Sequence, residues 1–139
     1  MSVKTYHISI SSRGDCDIQD LTQNIAEKLA ECELRDGLAT IFVPGSTASI
    51  TTIEFEPGLK KDMPEILNRL VPSNARYHHD DTWGDGNGYA HVRAALVGPG
   101  ITVPFENGRL CLGTWQQIVL MDFDNRPRRR EIVVQFLGE

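Results

Sequence analysis

Fourteen consecutive residues, His78-His79-Asp80-Asp81-Thr82-Trp83-Gly84-Asp85-Gly86-Asn87-Gly88-Tyr89-Ala90-His91, hold three of the four histidines in a chain of 139 residues. Neutral imidazole nitrogens bind borderline metals, and carboxylates complete a shell or orient the rings. Imidazole also titrates near neutrality, which suits a general acid or base. His79 and His91 are the candidate ligands. They cannot share a helical face as the ligands of HExxH do, so the chain between them must fold back for them to meet. The same residue types also make ordinary turns, and Asp85-Gly86-Asn87-Gly88 is turn chemistry by itself. Asp80, Asp81 and Asp85 lack the alternating ligand order and distal Glu of an EF-hand calcium loop.

A second candidate is Pro44-Gly45-Ser46-Thr47-Ala48-Ser49. Small residues let backbone N–H groups approach an anion, and the Ser46 and Thr47 hydroxyls add donors. The P-loop pattern is absent, and a plain turn is the competing reading. Glu54 and Glu56, two apart on a predicted strand, share one face and would serve acid–base work if one were desolvated. Arg126-Pro127-Arg128-Arg129-Arg130 places four arginines in five residues. It reads as a solvated turn or as an anion site, where the guanidinium fork matches phosphate. Trp115 in Leu112-Gly113-Thr114-Trp115-Gln116-Gln117 reads as a core or interface anchor. Nothing in the order of residues brings Cys111 to His91 as a nucleophile pair.

The elements that must position these groups follow from periodicity. Lys4–Ser11 alternates as a half-buried strand. Ile18, Leu21, Ile25, Leu29 and Cys32 form one helical stripe over 17–34, capped by Asp15 or Asp17 and stopped at Gly37. Strands are expected at Leu38–Val43 and Ser49–Phe55, then a helix over Lys60–Leu70 with Asp62 as N-cap and Pro64 in its first turn. Pro72–Gly88 reads as a long loop, of the length usually kept for function. Tyr89–Val97, Ile101–Phe105, Arg109–Leu112, Thr114–Phe123 and Arg130–Leu137 read as strands, with Asn107-Gly108 as a hairpin turn. Most connections are too short for parallel crossovers. The architecture expected is α+β: a mainly antiparallel β-sandwich or sheet packed with two helices.

Composition bounds the function. The length suits one domain, 1–139. The hydrophobic fraction is 40% and the charged fraction 24%, as in a globular chain. With 14 Lys+Arg against 19 Asp+Glu the net charge is −5, which disfavours nucleic acid as a partner. No apolar run approaches the ~18–20 residues of a membrane helix. Met1–His7 has no signal-peptide stretch, so no membrane association and a cytoplasmic location are expected. Cys16, Cys32 and Cys111 are odd in number and widely spaced, which makes neither a disulfide framework nor a metal knuckle.

Several of these runs together resemble the YjbQ-like family. They are Asp85–Gly98, Thr102-Val103-Pro104-Phe105, and Gly108–Ile118 with its Gly113-Thr114-Trp115-Gln116 block. Phe42-Val43-Pro44, Thr47-Ala48, Glu54, Glu56-Pro57 and Arg128-Arg129-Arg130 before a valine-rich strand and Gly138 fit too. The resemblance implies a compact α+β sandwich assembled as a homotrimer. It implies a histidine site with a divalent metal, Zn or Mg, at His79 and His91. It implies Glu54, His79, Asn87 and His91 as catalytic groups, and Ser46, Thr47 and Arg130 as binders of a phosphorylated small molecule. The activity implied is weak thiamine-phosphate synthesis, joining a hydroxymethylpyrimidine diphosphate to a thiazole phosphate with loss of pyrophosphate. A non-catalytic binding protein for a metal or phosphorylated molecule is the alternative, and a structural role in an assembly the third. Gly45 and Tyr89 stand where many family members carry histidine. A complete metal shell would then draw on Asp80, Asp85, Glu54, water or a neighbouring subunit.

Overall fold

Alternating side chains and antiparallel register sort eight strands into two sheets. The computed structural model describes residues 1–139. The larger sheet orders β1 (Ser2–Ser12), β8 (Arg128–Gly138), β3 (Gly37–Phe42), β5 (Gly100–Glu106) and β6 (Arg109–Leu110). The smaller orders β2 (Asp17–Asp20), β7 (Gln117–Asp122) and β4 (Ala48–Ile53). Every pairing is antiparallel. The β5–β6 hairpin turns at Asn107-Gly108, both at positive φ, as the dipeptide predicts.

The inner faces of the two sheets share one core. Ile8, Ile41, Ile132, Val134 and Phe136 of the larger sheet meet Ile50, Ile118 and Leu120 of the smaller. Helix α1 (Thr22–Cys32) adds Ile25, Leu29 and Cys32, with Leu21 just before it. The smaller sheet buries its other face too, with Val119, Met121 and Phe123 packed among Leu67, Val71, Tyr89, Ala90 and Ala94. Those residues come from helices α2 (Pro57–Leu70) and α4 (Gly88–Val97) and the turn after α2. A strand covered on both faces explains the unbroken apolar run Ile118–Met121.

Four helices, not two, cover the sheets. The expected strand 89–97 is helix α4, and the expected loop contains a further short helix, α3 (His78–Trp83). The α4 face is Tyr89, Ala90, Arg93 and Ala94, all buried. Arg93 disguises the helical period, because a charge stands in the buried stripe. Its guanidinium donates two hydrogen bonds to the Val71 carbonyl, at 3.0 and 2.9 Å.

The expected helix over 17–34 begins only at Thr22. Asp17–Asp20 instead pairs with β7, and Ile18 crosses to the other core. Sheet pairing outweighs a spacing that suits both structures. Asp20, rather than Asp15 or Asp17, accepts the Thr22 N–H at 2.9 Å. The helix stops at Glu33 in the left-handed region, and Gly37 opens β3. Helix α2 starts three residues before its expected onset. Its N-cap is Glu56, whose carboxylate accepts the Gly58 and Leu59 N–H groups, so Asp62 caps nothing and Pro64 lies inside the helix.

Candidate functional site

Helices α3 and α4 fold back on each other and bring His79 beside His91. Gly84, left-handed at φ +69°, closes α3, and Gly86 at φ +68° turns the chain toward α4. The first N–H of α4, that of Gly88, donates to Asp80 Oδ1 at 3.0 Å. A Cβ on Gly88 would lie 2.6 Å from Tyr77 Cβ, so the approach of the two helices requires glycine there. The imidazole centroids of His79 and His91 stand 4.1 Å apart.

His79 Nδ1 is buried without a hydrogen-bond partner. It lies 3.8 Å from Asp80 Oδ1 and 3.8 Å from Asp85 Oδ1. That separation is too long for a hydrogen bond. It is near the roughly 3.4 Å between two ligands of a tetrahedral ion with bonds of ~2.1 Å. The His79 nitrogen and the Asp80 and Asp85 carboxylates, their ligand atoms within 4.8 Å of one another, therefore fit a divalent cation, whereas His91 meets that group only through the ring beside His79. Burial, and then the neighbouring His79 ring, hold the His91 imidazole below its ordinary 6.5, against the pull of Asp124, Asp85 and Asp80. A neutral ring is the ligand form.

Across a cleft of about 360 Å³ from the histidines stands a network that the sequence did not reveal. Asp122 is fully buried and receives Arg130 Nε at 2.7 Å and Nη2 at 2.9 Å. Nη2 of Arg130 also donates to Thr47 Oγ1 at 2.7 Å, and the Thr47 hydroxyl donates in turn to Asp124 Oδ2 at 3.0 Å. Asp124 further accepts from Arg128 Nε at 2.8 Å, the Asn125 N–H at 2.8 Å and Asn87 Nδ2 at 3.3 Å. Burial raises the Asp124 carboxyl, but the bonds from Asn87, Arg128, Asn125 and Thr47 outweigh it and hold it below its ordinary 3.8.

The expected site residues divide accordingly. His79, Asn87, His91, Ser46, Thr47 and Arg130 all line the cleft. Thr47 and Arg130 face inward to the aspartates. Arg128 carries the free guanidinium end, since only its Nε is engaged. Glu54 does not reach the cleft. It is exposed beyond the end of β4 opposite to Thr47, roughly 20 Å away along the strand. Glu56 is a helix cap, and Cys111 is exposed after β6. Tyr89 packs in the core at 5% exposure. Asp122 and Asp124, two residues apart at the end of an apolar strand, were the readable signal for the network, matched by Arg128 and Arg130 at the same interval.

Residues 6–139 match the family described as UPF0047 protein YjbQ-like. The chain belongs to that family. Its relatives include a UPF0047 protein of Archaeoglobus fulgidus, 40% identical over 82% of this chain and 89% of the relative. The UPF0047 protein YugU of Bacillus subtilis is 36% identical over 98% of this chain and 99% of its own. Among solved structures, a YbjQ-like protein of unknown function from Sulfolobus solfataricus superposes with a TM-score of 0.89 at 28% identity. It covers 99% of this chain and 100% of its own. A hypothetical protein of Aeropyrum pernix gives 0.91 at 29%, covering 98% and 99%. The YjbQ-like fold is thus an α+β sandwich with α2 and α4 on the outer face of the smaller sheet and α1 packed on the core shared by the two sheets. No helix is long and apolar enough to cross a membrane.

Proposed function

We propose that this YjbQ-like chain binds a phosphorylated small molecule beside a divalent cation, and turns it over by chemistry in which a phosphate or pyrophosphate departs. The observation that supports it best is the unpartnered His79 Nδ1 between Asp80 and Asp85, in the cleft that also presents the free end of Arg128. Around that cleft Asp80, Asp85, Asp122 and Asp124 outnumber Arg128 and Arg130 by two charges, which favours a dication before an anion. His79, Asp80 and Asp85 would hold the ion, with His91 as a further ligand. When bound, a divalent cation would neutralise charge on a phosphate oxygen. Arg128 Nη1 and Nη2 then grip a second phosphate oxygen as a fork. Asp122 and Asp124 fix the arginines.

Joining a hydroxymethylpyrimidine diphosphate to a thiazole phosphate is the reaction of this class that the family resemblance suggests. One observation favours a second reading, binding without turnover: with Glu54 elsewhere and Asp80 and Asp85 in the ligand group, no further unpaired carboxylate in the cleft is left as a base. The test uses untagged protein purified without chelator, its metal measured by elemental analysis and thiamine phosphate formation by mass spectrometry. Near-stoichiometric metal and product are expected, both lost in His91→Ala. Binding of the diphosphate without product selects the second reading. Absence of metal together with absence of phosphate binding sinks both.

We also propose that the chain assembles as a homotrimer, supported by an apolar row on the outer face of the larger sheet. Val3, Leu38 and Leu137 are 57%, 46% and 43% exposed there, more contiguous apolar surface than a solvated face needs.

A further inference from the structure

A second hollow of about 340 Å³ adjoins the cleft and shares Gly45, Ser46 and His91 with it. Its remaining walls are Ala48 of β4, Ala94 and Ala95 of α4, and Pro99. The chemistry of the two lobes is opposite. The first is walled by carboxylates, guanidiniums and imidazoles, and the second by methyl and ring carbons. The backbone beneath the second lobe is already satisfied. The Ala94 carbonyl accepts from Ser49 Oγ at 3.0 Å and from the Gly98 N–H at 2.8 Å. The Gly98 and Pro99 carbonyls accept from the N–H groups of Ile50 and Val43. A charged or strongly polar group passing beyond Ser46 and His91 into the alanine walls would lose water and find no partner there.

Gly45 stands where the lobes join. Its φ is +144°, and a Cβ there would come within 3.1 Å of Arg130 Nη1. A side chain at position 45 would therefore strain the backbone and narrow the passage.

We propose that the alanine-walled lobe takes an uncharged, apolar substituent of the phosphorylated ligand, with Gly45 keeping the passage open. The ligand class is a phosphate monoester with an apolar arm, in place of inorganic phosphate or a sugar phosphate. This rests on the phosphate reading of the first lobe. Each methylene of the arm that becomes buried tightens binding roughly fourfold.

The test is calorimetric titration of the full chain, supplied with Zn or Mg, with inorganic, methyl and butyl phosphate. The same series is run on Ala95→Trp, which fills the lobe from an exposed helix position. A thermal melt matching the parent shows that the variant is folded. Butyl phosphate, with three more methylenes to bury, is expected to bind the parent about sixtyfold tighter than methyl phosphate. In Ala95→Trp that gain disappears while methyl phosphate affinity stays within about twofold. If phosphate and both esters bind alike, the apolar lobe is not a subsite, and the phosphate reading stands without it. A gain that survives Ala95→Trp places the arm elsewhere and also overturns the proposal. If none of the three binds with metal present, the phosphate reading falls and takes this one with it.

Discussion

Four donors converge on the Asp124 carboxylate: Thr47 Oγ1, Asn87 Nδ2, the Asn125 N–H and Arg128 Nε. Asp124 thereby joins the Ser46-Thr47 loop, the start of α4 and the arginine strand in one hub. Its folded-state pKa lies below the ordinary 3.8. A depressed carboxyl stabilises the fold fully above the unfolded value and loses that stabilisation as pH falls through the lower folded value. In urea titrations, stability should therefore drop as pH goes below about 3.8, and Asp124→Asn should flatten that drop. At pH 7 the same variant should cost about 1–3 kcal/mol, because Arg128 loses its anion and the amide cannot accept from every donor. An unchanged acid limb in Asp124→Asn would show that other carboxylates set it. The histidines were legible in the sequence because imidazole is scarce in this chain and three lie together. The matching intervals of Asp122 and Asp124 and of Arg128 and Arg130 were also there to read, but the register that pairs them across two sheets is not a property of either run.

At the scale of elements, the cleft depends on how closely α4 approaches α3. Gly88 sets that distance, with Tyr77 Cβ and Asp80 Oδ1 only 2.6 and 3.0 Å from where a Cβ would stand. Gly88→Ala should force the helices apart and cost about 1–3 kcal/mol by overpacking, seen as a lower melting temperature. It should also weaken metal uptake in equilibrium dialysis, since His79 rides on α3 and His91 on α4. Full metal affinity at a lowered melting temperature would mean that the helix spacing does not shape the ligand set. The strands were legible nearly to the residue where one face is buried, as in β3, β5 and β8. The helices near the site were not. Helix α3 has six residues and buries none of them, so it leaves no periodic trace. In α4 a buried arginine interrupts the stripe. Helix α1 kept its stripe but lost its first turn to β2, a choice made by pairing with β7 and invisible within 17–20.

The whole molecule presents one face that nothing in a single chain covers. Across β1, β8, β3 and β5 the register lines up Val3, Leu137, Leu38 and Pro104 in one row. Thr5, Gln135, Thr40 and Thr102 form the next, and His7, Val133, Phe42 and Gly100 the third. These rows contain no Asp, Glu, Lys or Arg, in a chain whose charged fraction is 24%. The first row, Val3, Leu137, Leu38 and Pro104, is apolar and exposed across four strands, and surface of that kind marks association. A trimer built on it should break when Leu38 and its cross-strand neighbour Leu137 both become Glu, which sets like charges side by side on an interface. Light scattering should then fall from three chains of 15.5 kDa to one. Both side chains point away from the shared core, so circular dichroism should hold. A parent mass of one chain would end the trimer proposal, and a variant mass of three chains would move the interface to another face. Methyl phosphate titration of the dissociated variant then decides where the site belongs. The cleft draws Thr47, His79, Asn87, His91 and Arg128 from one chain. Binding should therefore persist in the monomer, whereas loss of binding together with mass would mean that a neighbouring subunit completes it.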